Sequence, residues 1–245
     1  MLKPNQTMSH ALPASCLSFA AACAAQGLDL VVPFDAIRYN ARATPEHALP
    51  FVSRPHSLAL LIGNTRALWP AFRQAVGRDA ALASDPDPLD RYVVREIERA
   101  LPSLPARARV LYGHTSEPRV IPLQRVAEAI GFAVISPSHL SVHASYGPWF
   151  ALRAVVLVDL PAFEGELGPA PNPCLACEKP CVAALNEALA AARAAGLPLE
   201  RAVREDFPRW TRVREVCPEG RAFRYPSDQL EYHYAKNRLL LRGPE

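Results

Sequence analysis

This chain is poor in glycine and lacks long runs of any one class of residue. Glycine accounts for only 11 of 245 residues, against 25 prolines, so we expect stiff, irregular connections between elements. No stretch approaches the roughly 20 apolar residues of a membrane-spanning helix. No long Lys/Arg run accompanies the net charge of +3. The sequence therefore predicts neither a membrane protein nor a nucleic-acid-binding protein.

Several well-known catalytic motifs are also missing. The chain has no P-loop, no G-x-G-x-x-G, no G-x-S-x-G and no H-E-x-x-H, and each of these motifs carries a defined chemistry. The sequence thus gives no support for a P-loop NTPase, a Rossmann dehydrogenase or a serine hydrolase.

One charged residue stands inside the most apolar segment. The run from Trp149 to Val158 is typical of a strand buried on both faces, yet it contains Arg153. A guanidinium cannot lose its proton, so its burial is costly without a partner. That partner is either a protein carboxylate or a carboxylate or phosphate on a ligand. We expect a binding site where this strand meets the preceding loop.

The remaining pattern predicts one domain over 1–245, with strands alternating with helices around a single sheet. Apolar residues at helical spacing predict a helix from Pro88 to Leu101. We also expect an N-terminal helix within 1–27, a closing helix from Asp228 to Leu241, and a polar, arginine-rich C-terminal extension over 196–245.

The N-terminus does not match a signal peptide, because only Lys3 precedes the apolar part and polar residues interrupt it. We therefore predict a cytoplasmic protein whose six cysteines are reduced. Cytosolic cysteines at short spacing indicate metal or redox chemistry rather than disulfides.

Three cysteines lie together in the segment 171–185. Cys174, Cys177 and Cys181 form C-x2-C-x3-C, which matches the last three positions of the ferredoxin run C-x2-C-x2-C-x3-C-P. One hypothesis is an iron–sulfur or zinc site completed by a distant ligand such as Cys217. The alternatives are a degenerate loop with small apolar cysteines, or a reactive thiol at Cys181 near a helix N-terminus.

Aromatic residues precede the Arg153 strand, and arginines crowd the C-terminal third. Tyr146 and Trp149 suit either a planar ligand or core packing, and His143 is the histidine we expect beside a pocket. A spread of arginines is typical of a solvated face, and the alternative is that some of them join Arg153 around an anionic ligand. The arginines are Arg201, Arg204, Arg209, Arg212, Arg214, Arg221, Arg224 and Arg238.

These residues together resemble the methylmalonic aciduria and homocystinuria type C protein family. The resemblance is collinear from about residue 28 to 241, and its most specific part is His143 to Leu157. The other matching segments are Val32-Pro33-Phe34, Tyr39-Asn40, Leu58-Ala59-Leu60-Leu61, Asp85-Pro86, Trp210-Thr211, Arg224-Tyr225-Pro226-Ser227 and Asn237-Arg238-Leu239-Leu240.

The resemblance implies an α+β fold of the nitroreductase or flavin-reductase type, with a mixed or antiparallel sheet flanked by helices. It implies cobalamin in a large cavity and removal of the upper cyanide or alkyl ligand, with reduced FMN or FAD, or glutathione, as reductant. His143, Tyr146, Gly147 and Trp149 would then line the cavity.

Family arginines that hold the glutathione carboxylates match Arg153 and Arg238. The third such position falls near Val213, between Arg212 and Arg214, and a family histidine aligns with Glu128.

The cysteine run is similar to that of epoxyqueuosine reductases, which supports an iron–sulfur oxidoreductase as an alternative. Two further alternatives are a non-catalytic cobalamin carrier and a flavin-binding nitroreductase relative. In each case we expect small-molecule ligands, and a homodimer is compatible with the family.

Overall fold

The computed structural model describes residues 12–52, 56–116, 119–165 and 168–241. Its strands are β1 (Leu30–Asp35), β2 (His56–Asn64), β3 (Ala108–Tyr112), β4 (Val134–Ile135), β5 (Ser141–Val142) and β6 (Ala151–Pro161). Its α-helices are α1 (Leu17–Ala25), α2 (Ala36–Asn40), α3 (Leu68–Arg78), α4 (Ala80–Ser84), α5 (Pro88–Ala100), α6 (Leu123–Ala129), α7 (Pro180–Ala194), α8 (Leu199–Glu205), α9 (Phe207–Glu215) and α10 (Ser227–Ala235).

The described strands form one four-stranded sheet in the order β1-β2-β6-β3 and one two-stranded hairpin, β4-β5. Each neighbouring pair is antiparallel. Helices flank the larger sheet, so the predicted α+β class with an antiparallel central sheet is confirmed. The two strands with the longest apolar runs, β2 and β6, occupy the centre of the sheet.

Both faces of the central strands are covered, which explains why their sequences do not alternate between apolar and polar residues. One face packs on α1, α3 and α5 through Leu58, Leu60, Ile62, Ala154, Val156 and Val158. The other face packs on α6 and the loop before β6 through Ala59, Leu61 and Val155. Each fully buried Val, Leu or Ile side chain stabilises the fold by roughly 1.5–3 kcal/mol relative to an exposed one.

A bulge interrupts the pairing of β2 and β6 close to the predicted site. Ile62 pairs with Ala154, whereas the next residue, Gly63, pairs with Leu152. Arg153 is therefore the extra residue on β6, although its carbonyl still accepts the Gly113 N–H at 2.9 Å. The strands approach so closely here that a Cβ on Gly63 would lie 2.6 Å from the Ala151 carbonyl oxygen. Bulges re-aim a side chain and are frequent beside functional sites.

Most predicted elements agree with the structure, and the ends of the chain require corrections. The predicted helix over Pro88 to Leu101 is confirmed as α5. The first eleven residues of the predicted helix 1–27 lie outside the described residues, and the rest is a 3-10 turn followed by α1. The predicted closing helix is wrong in its second half. Lys236 adopts φ +58° and ends α10, and Arg238–Leu241 form a 3-10 turn.

Within the described ranges, no helix combines the length and the hydropathy needed to cross a bilayer.

Candidate functional site

A cavity of about 770 Å³ lies where β6 begins, which is the place predicted for a binding site. Its volume falls within the usual range for small-molecule pockets. The start of β6 contributes Phe150 and Arg153, the start of α6 contributes Leu123 and Gln124, and the hairpin contributes Ser141. The cavity wall thus mixes apolar surface with hydrogen-bonding groups.

Arg153 reaches this cavity because the bulge turns it away from the ladder of paired residues. Its Nε donates to Asn64 Oδ1 at 2.7 Å. Its Nη2 is buried and has no hydrogen-bond partner in the described part of the chain. Burial lowers the pKa of the guanidinium, but arginine stays protonated in proteins. The protein therefore holds a fixed positive charge at the cavity with at least one donor atom unused.

Arg214, on α9, brings a second guanidinium to the same cavity. Its Nε donates to the Tyr234 hydroxyl at 2.9 Å, and its Nη1 donates to the Pro148 carbonyl. Both of these acceptors are neutral. Among the described residues, no carboxylate forms an ion pair with Arg153 or Arg214; Asp90 lines the cavity and acts on Arg153 only through space. Two cations without a paired anion are suited to an anionic ligand.

Four further buried polar atoms lack hydrogen-bond partners among the residues that the structure describes. They are the Tyr225 hydroxyl, Gln229 Oε1, Ser141 Oγ and the Tyr112 hydroxyl. Ser141 belongs to the cavity wall, and Tyr225 interacts electrostatically with both arginines. An unmade hydrogen bond on a buried group costs about 1–3 kcal/mol, a cost that a ligand in the cavity would remove at Ser141.

The pKa of His233, on α10, is affected by the positive charge of this region. Burial, followed by repulsion from Arg153, Arg214 and Lys236, lowers its pKa from 6.5 to about 3. The imidazole is therefore neutral at physiological pH, and its Nε2 lies 3.3 Å from Gln229 Nε2.

The predicted loop residues form their own packed unit, and none of His143, Tyr146 and Gly147 is in the wall of the large cavity. His143 Nδ1 accepts the backbone N–H groups of Ser145 and Tyr146 at 3.0 and 3.3 Å. Its ring stacks on Tyr146, with centroids 4.5 Å apart. Gly147 has φ +56°, and a Cβ there would collide with the Glu219 carbonyl oxygen. This glycine allows the loop to pack against the 219–220 turn.

Trp149 and Arg238 also lie outside the cavity wall. Trp149 is only 1% exposed and packs edge-on against Tyr225, so the core-packing alternative describes its position. Arg238 is exposed, and its Nη2 donates to the Ala83 carbonyl at 2.6 Å. Their predicted roles as ligand-binding residues stay predictions that these positions do not support.

The three cysteines of the C-x2-C-x3-C run do come together, and Cys217 joins them at a second, smaller cavity. As they stand, however, no group of three or more His, Cys, Asp or Glu side chains in the described residues is arranged to hold a metal ion. Disulfides are absent among these four residues, which are free thiols.

Sequence reasoning identified Arg153 but did not single out its partners. Among the eight C-terminal arginines, Arg214 was distinguished only by its place next to Val213, where the family resemblance puts the third arginine. Ser141, Gln229 and His233 belong to no motif, and Tyr225 was marked only as part of the matching segment Arg224-Tyr225-Pro226-Ser227.

No protein-family model matches this chain, and no curated protein matches it. A search of solved structures found the crystal structure of CblC, a B12-trafficking protein of C. elegans and a homologue of human MMACHC. The two share 20% sequence identity over 96% of each chain, with a TM-score of 0.67. The chain therefore has the same fold as this protein, and it is the fold that the family resemblance implied.

Proposed function

We propose that this protein binds cobalamin in the 770 Å³ cavity and removes the upper axial ligand, as a member of the methylmalonic aciduria and homocystinuria type C family. The observation that carries the proposal is the pair of guanidiniums, Arg153 and Arg214, which face a large cavity without an ion-paired carboxylate among the described residues. The fold shared with a B12-trafficking protein over nearly the whole chain supports the choice of ligand.

The cavity wall has the chemistry that a corrin needs. Corrin faces are wide and largely apolar, and the rim carries amide arms that donate and accept hydrogen bonds. Ile121, Leu123 and Phe150 offer apolar contact, whereas Gln124 and Ser141 offer polar groups at the same cavity. Ser141 Oγ is a buried hydroxyl without a partner in the described chain, so an amide arm would satisfy it.

The arginine pair suits the anionic reductant better than the corrin itself. Charge-assisted hydrogen bonds from two guanidiniums would hold the carboxylates of a thiol peptide such as glutathione, or the phosphate of a reduced flavin. Once bound, cobalamin supplies the cobalt chemistry. The chain would supply binding and orientation, and Arg153 and Arg214 would place the reductant at the cavity.

The first test is a spectroscopic titration with cyanocobalamin and hydroxocobalamin. Binding with displacement of the lower base shifts the visible spectrum, so the expected result is a saturable base-off change. Incubation with glutathione, and separately with reduced FMN, then tests for loss of cyanide and identifies the reductant. A chain that binds neither cobalamin, or that binds flavin tightly and ignores cobalamin, contradicts the proposal.

A non-catalytic carrier is the second candidate, because the structural relative is described as a trafficking protein. A carrier would give the same spectral shift on binding but no loss of the upper ligand with either reductant. The Arg153→Gln variant separates the two proposals, since it should impair turnover with the anionic reductant more than cobalamin binding.

A further inference from the structure

We propose that Cys174, Cys177, Cys181 and Cys217 form a thiolate-ligated metal centre beside the wall of the large cavity. The four residues come from two segments of the chain that are separated by α7, α8 and α9. In the folded protein all four line one cavity of about 20 Å³, which is large enough for a single water-sized occupant. This proposal does not depend on the function proposed for the large cavity.

One of the four sulfurs has a backbone N–H group directed at it. The Lys179 N–H donates to Cys177 Sγ at 3.3 Å. Hydrogen bonds to sulfur stabilise thiolates and tune metal–thiolate centres, so this turn has a local geometry suited to ligation.

The backbone around the C-x2-C-x3-C run also favours thiolate ligands. Lys179 has φ +58°, a left-handed conformation that is uncommon for a residue other than glycine. This turn places Cys181 in the first turn of α7, a helix of 15 residues. A helix N-terminus favours negative charge and therefore the thiolate form.

Four thiolates at one point repel each other unless a cation lies between them. Metal binding and deprotonation of the four cysteines would therefore be coupled.

The remaining two cysteines provide the contrast. Cys16 and Cys23 are fully buried in the main core, where burial raises the pKa of Cys23 to about 12. They behave as small apolar residues. The sulfurs of the four-cysteine cluster are partly exposed, and they are not yet within bonding reach of one common point. Rotation about χ1 moves a cysteine sulfur between staggered positions without moving the backbone.

Two occupants share the required chemistry. Zn²⁺ bound by four cysteines is a common structural centre, and a single ion suits the volume of the cavity. An iron–sulfur cluster is also held by four cysteine thiolates, and the C-x2-C-x3-C spacing matches part of a ferredoxin run; it would need the 174–181 segment to move outward. Leu140 lines both cavities. Either occupant would therefore stabilise the wall of the larger cavity.

The test is metal analysis of the full-length protein purified with and without oxygen, and of apoprotein titrated with Zn²⁺ and Co²⁺ under reducing conditions. About one zinc per chain, or Co²⁺ bands typical of tetrahedral thiolate ligation, supports a mononuclear centre. Iron with inorganic sulfide and broad visible absorbance after anaerobic purification supports a cluster. Absence of metal from both preparations, together with no Zn²⁺ or Co²⁺ binding, overturns the proposal.

Variants assign the ligands. Cys174→Ser, Cys177→Ser, Cys181→Ser and Cys217→Ser should each lose most of the bound metal, measured per chain in the monodisperse fraction so that misfolded protein is excluded. Cys16→Ala is the matched control and should keep the full metal content. Equal metal content in Cys217→Ser and the parent protein would contradict the four-cysteine centre.

Discussion

Two clusters of charged residues in this molecule use arginine in opposite ways. On α5, the carboxylate of Glu96 is only 5% exposed and accepts from Arg95 Nε at 2.7 Å and from Arg99 Nη1 at 3.2 Å. Arg95 also pairs with Asp79 at 2.8 Å. At the start of β6, Arg153 and Arg214 have only neutral hydrogen-bond acceptors among the described residues.

The difference separates a cluster whose charges are balanced within the protein from one that we propose binds a ligand. In the α5 network two carboxylates balance two guanidiniums, so every charge is compensated within the protein. In the Arg153 cluster no carboxylate of the described residues pairs with the charge, and Arg153 Nη2 is an unused donor, which costs stability unless something binds. An anionic ligand would compensate the positive charge of Arg153 and Arg214, as Glu96 compensates the charge of Arg95 and Arg99.

The largest expected effect comes from Arg153→Gln. Removing one partner of a buried charge pair costs about 2 kcal/mol or more of binding free energy, or roughly 30-fold. We expect that loss in kcat/KM for the anionic reductant, measured by the rate of cyanide release. The thermal midpoint should be unchanged or higher, because the variant removes an uncompensated buried charge. Unaltered turnover and ligand binding in this variant would show that Arg153 does not bind the ligand, which would contradict the proposed difference between the two clusters.

The second prediction uses His233 as a probe of the uncompensated charge. Its pKa in the folded protein, about 3, lies below the unfolded value of 6.5. The neutral imidazole therefore contributes stability that is fully present above pH 6.5 and is lost as the pH falls towards 3. Between pH 7 and pH 4.5 the parent protein should lose about 2–3 kcal/mol more unfolding free energy than His233→Gln. Parallel urea denaturation at both pH values measures the difference.

The control for that experiment is the anionic ligand. An anion beside Arg153 and Arg214 reduces the repulsion felt by His233 and should raise its pKa. Identical pH dependence of stability in the parent and in His233→Gln would show that the pKa of His233 is not lowered in the folded protein. An unchanged pKa of His233 on anion binding would show that the arginine pair does not affect it.

The third prediction tests the α5 network, in which Arg95 and Arg99 pair with Glu96 and Arg95 also pairs with Asp79. Arg95→Ala removes hydrogen bonds to two carboxylates and leaves Glu96 with Arg99 as its remaining partner. Hydrogen bonds to charged groups contribute about 1.5–3 kcal/mol, so the unfolding free energy should fall by about 2 kcal/mol. Cobalamin and reductant affinities, titrated on the same preparation, should not change. An affinity loss as large as that of Arg153→Gln would mean that the two clusters are not functionally distinct.

The smallest effect is expected for Arg238→Ala. This side chain is exposed and donates to the Ala83 carbonyl, which water can solvate in the variant. The unfolding free energy should change by less than about 0.5 kcal/mol, and kcat/KM for the reductant should stay within twofold. A tenfold loss of activity would instead place Arg238 at the ligand, as the family resemblance implied.

The sequence by itself determined the local features. The spacing of apolar residues was sufficient to predict α5, because helix periodicity is a property of neighbouring residues. The apolar run around Arg153 was sufficient to predict a strand buried on both faces, and the structure has a cavity at the start of that strand. The C-x2-C-x3-C spacing identified three of the four residues in the cysteine cluster, since those three are close together in the chain.

Only the tertiary structure decided which distant residues complete each site. Arg153 bonds to Asn64, 89 residues away, and Arg214 bonds to Pro148, 66 residues away. Packing also enclosed Trp149 in the core, left Arg238 at the surface and brought Cys217 to the other three cysteines. Local propensity acts over a few residues, whereas these placements depend on how helices and strands pack across the whole domain.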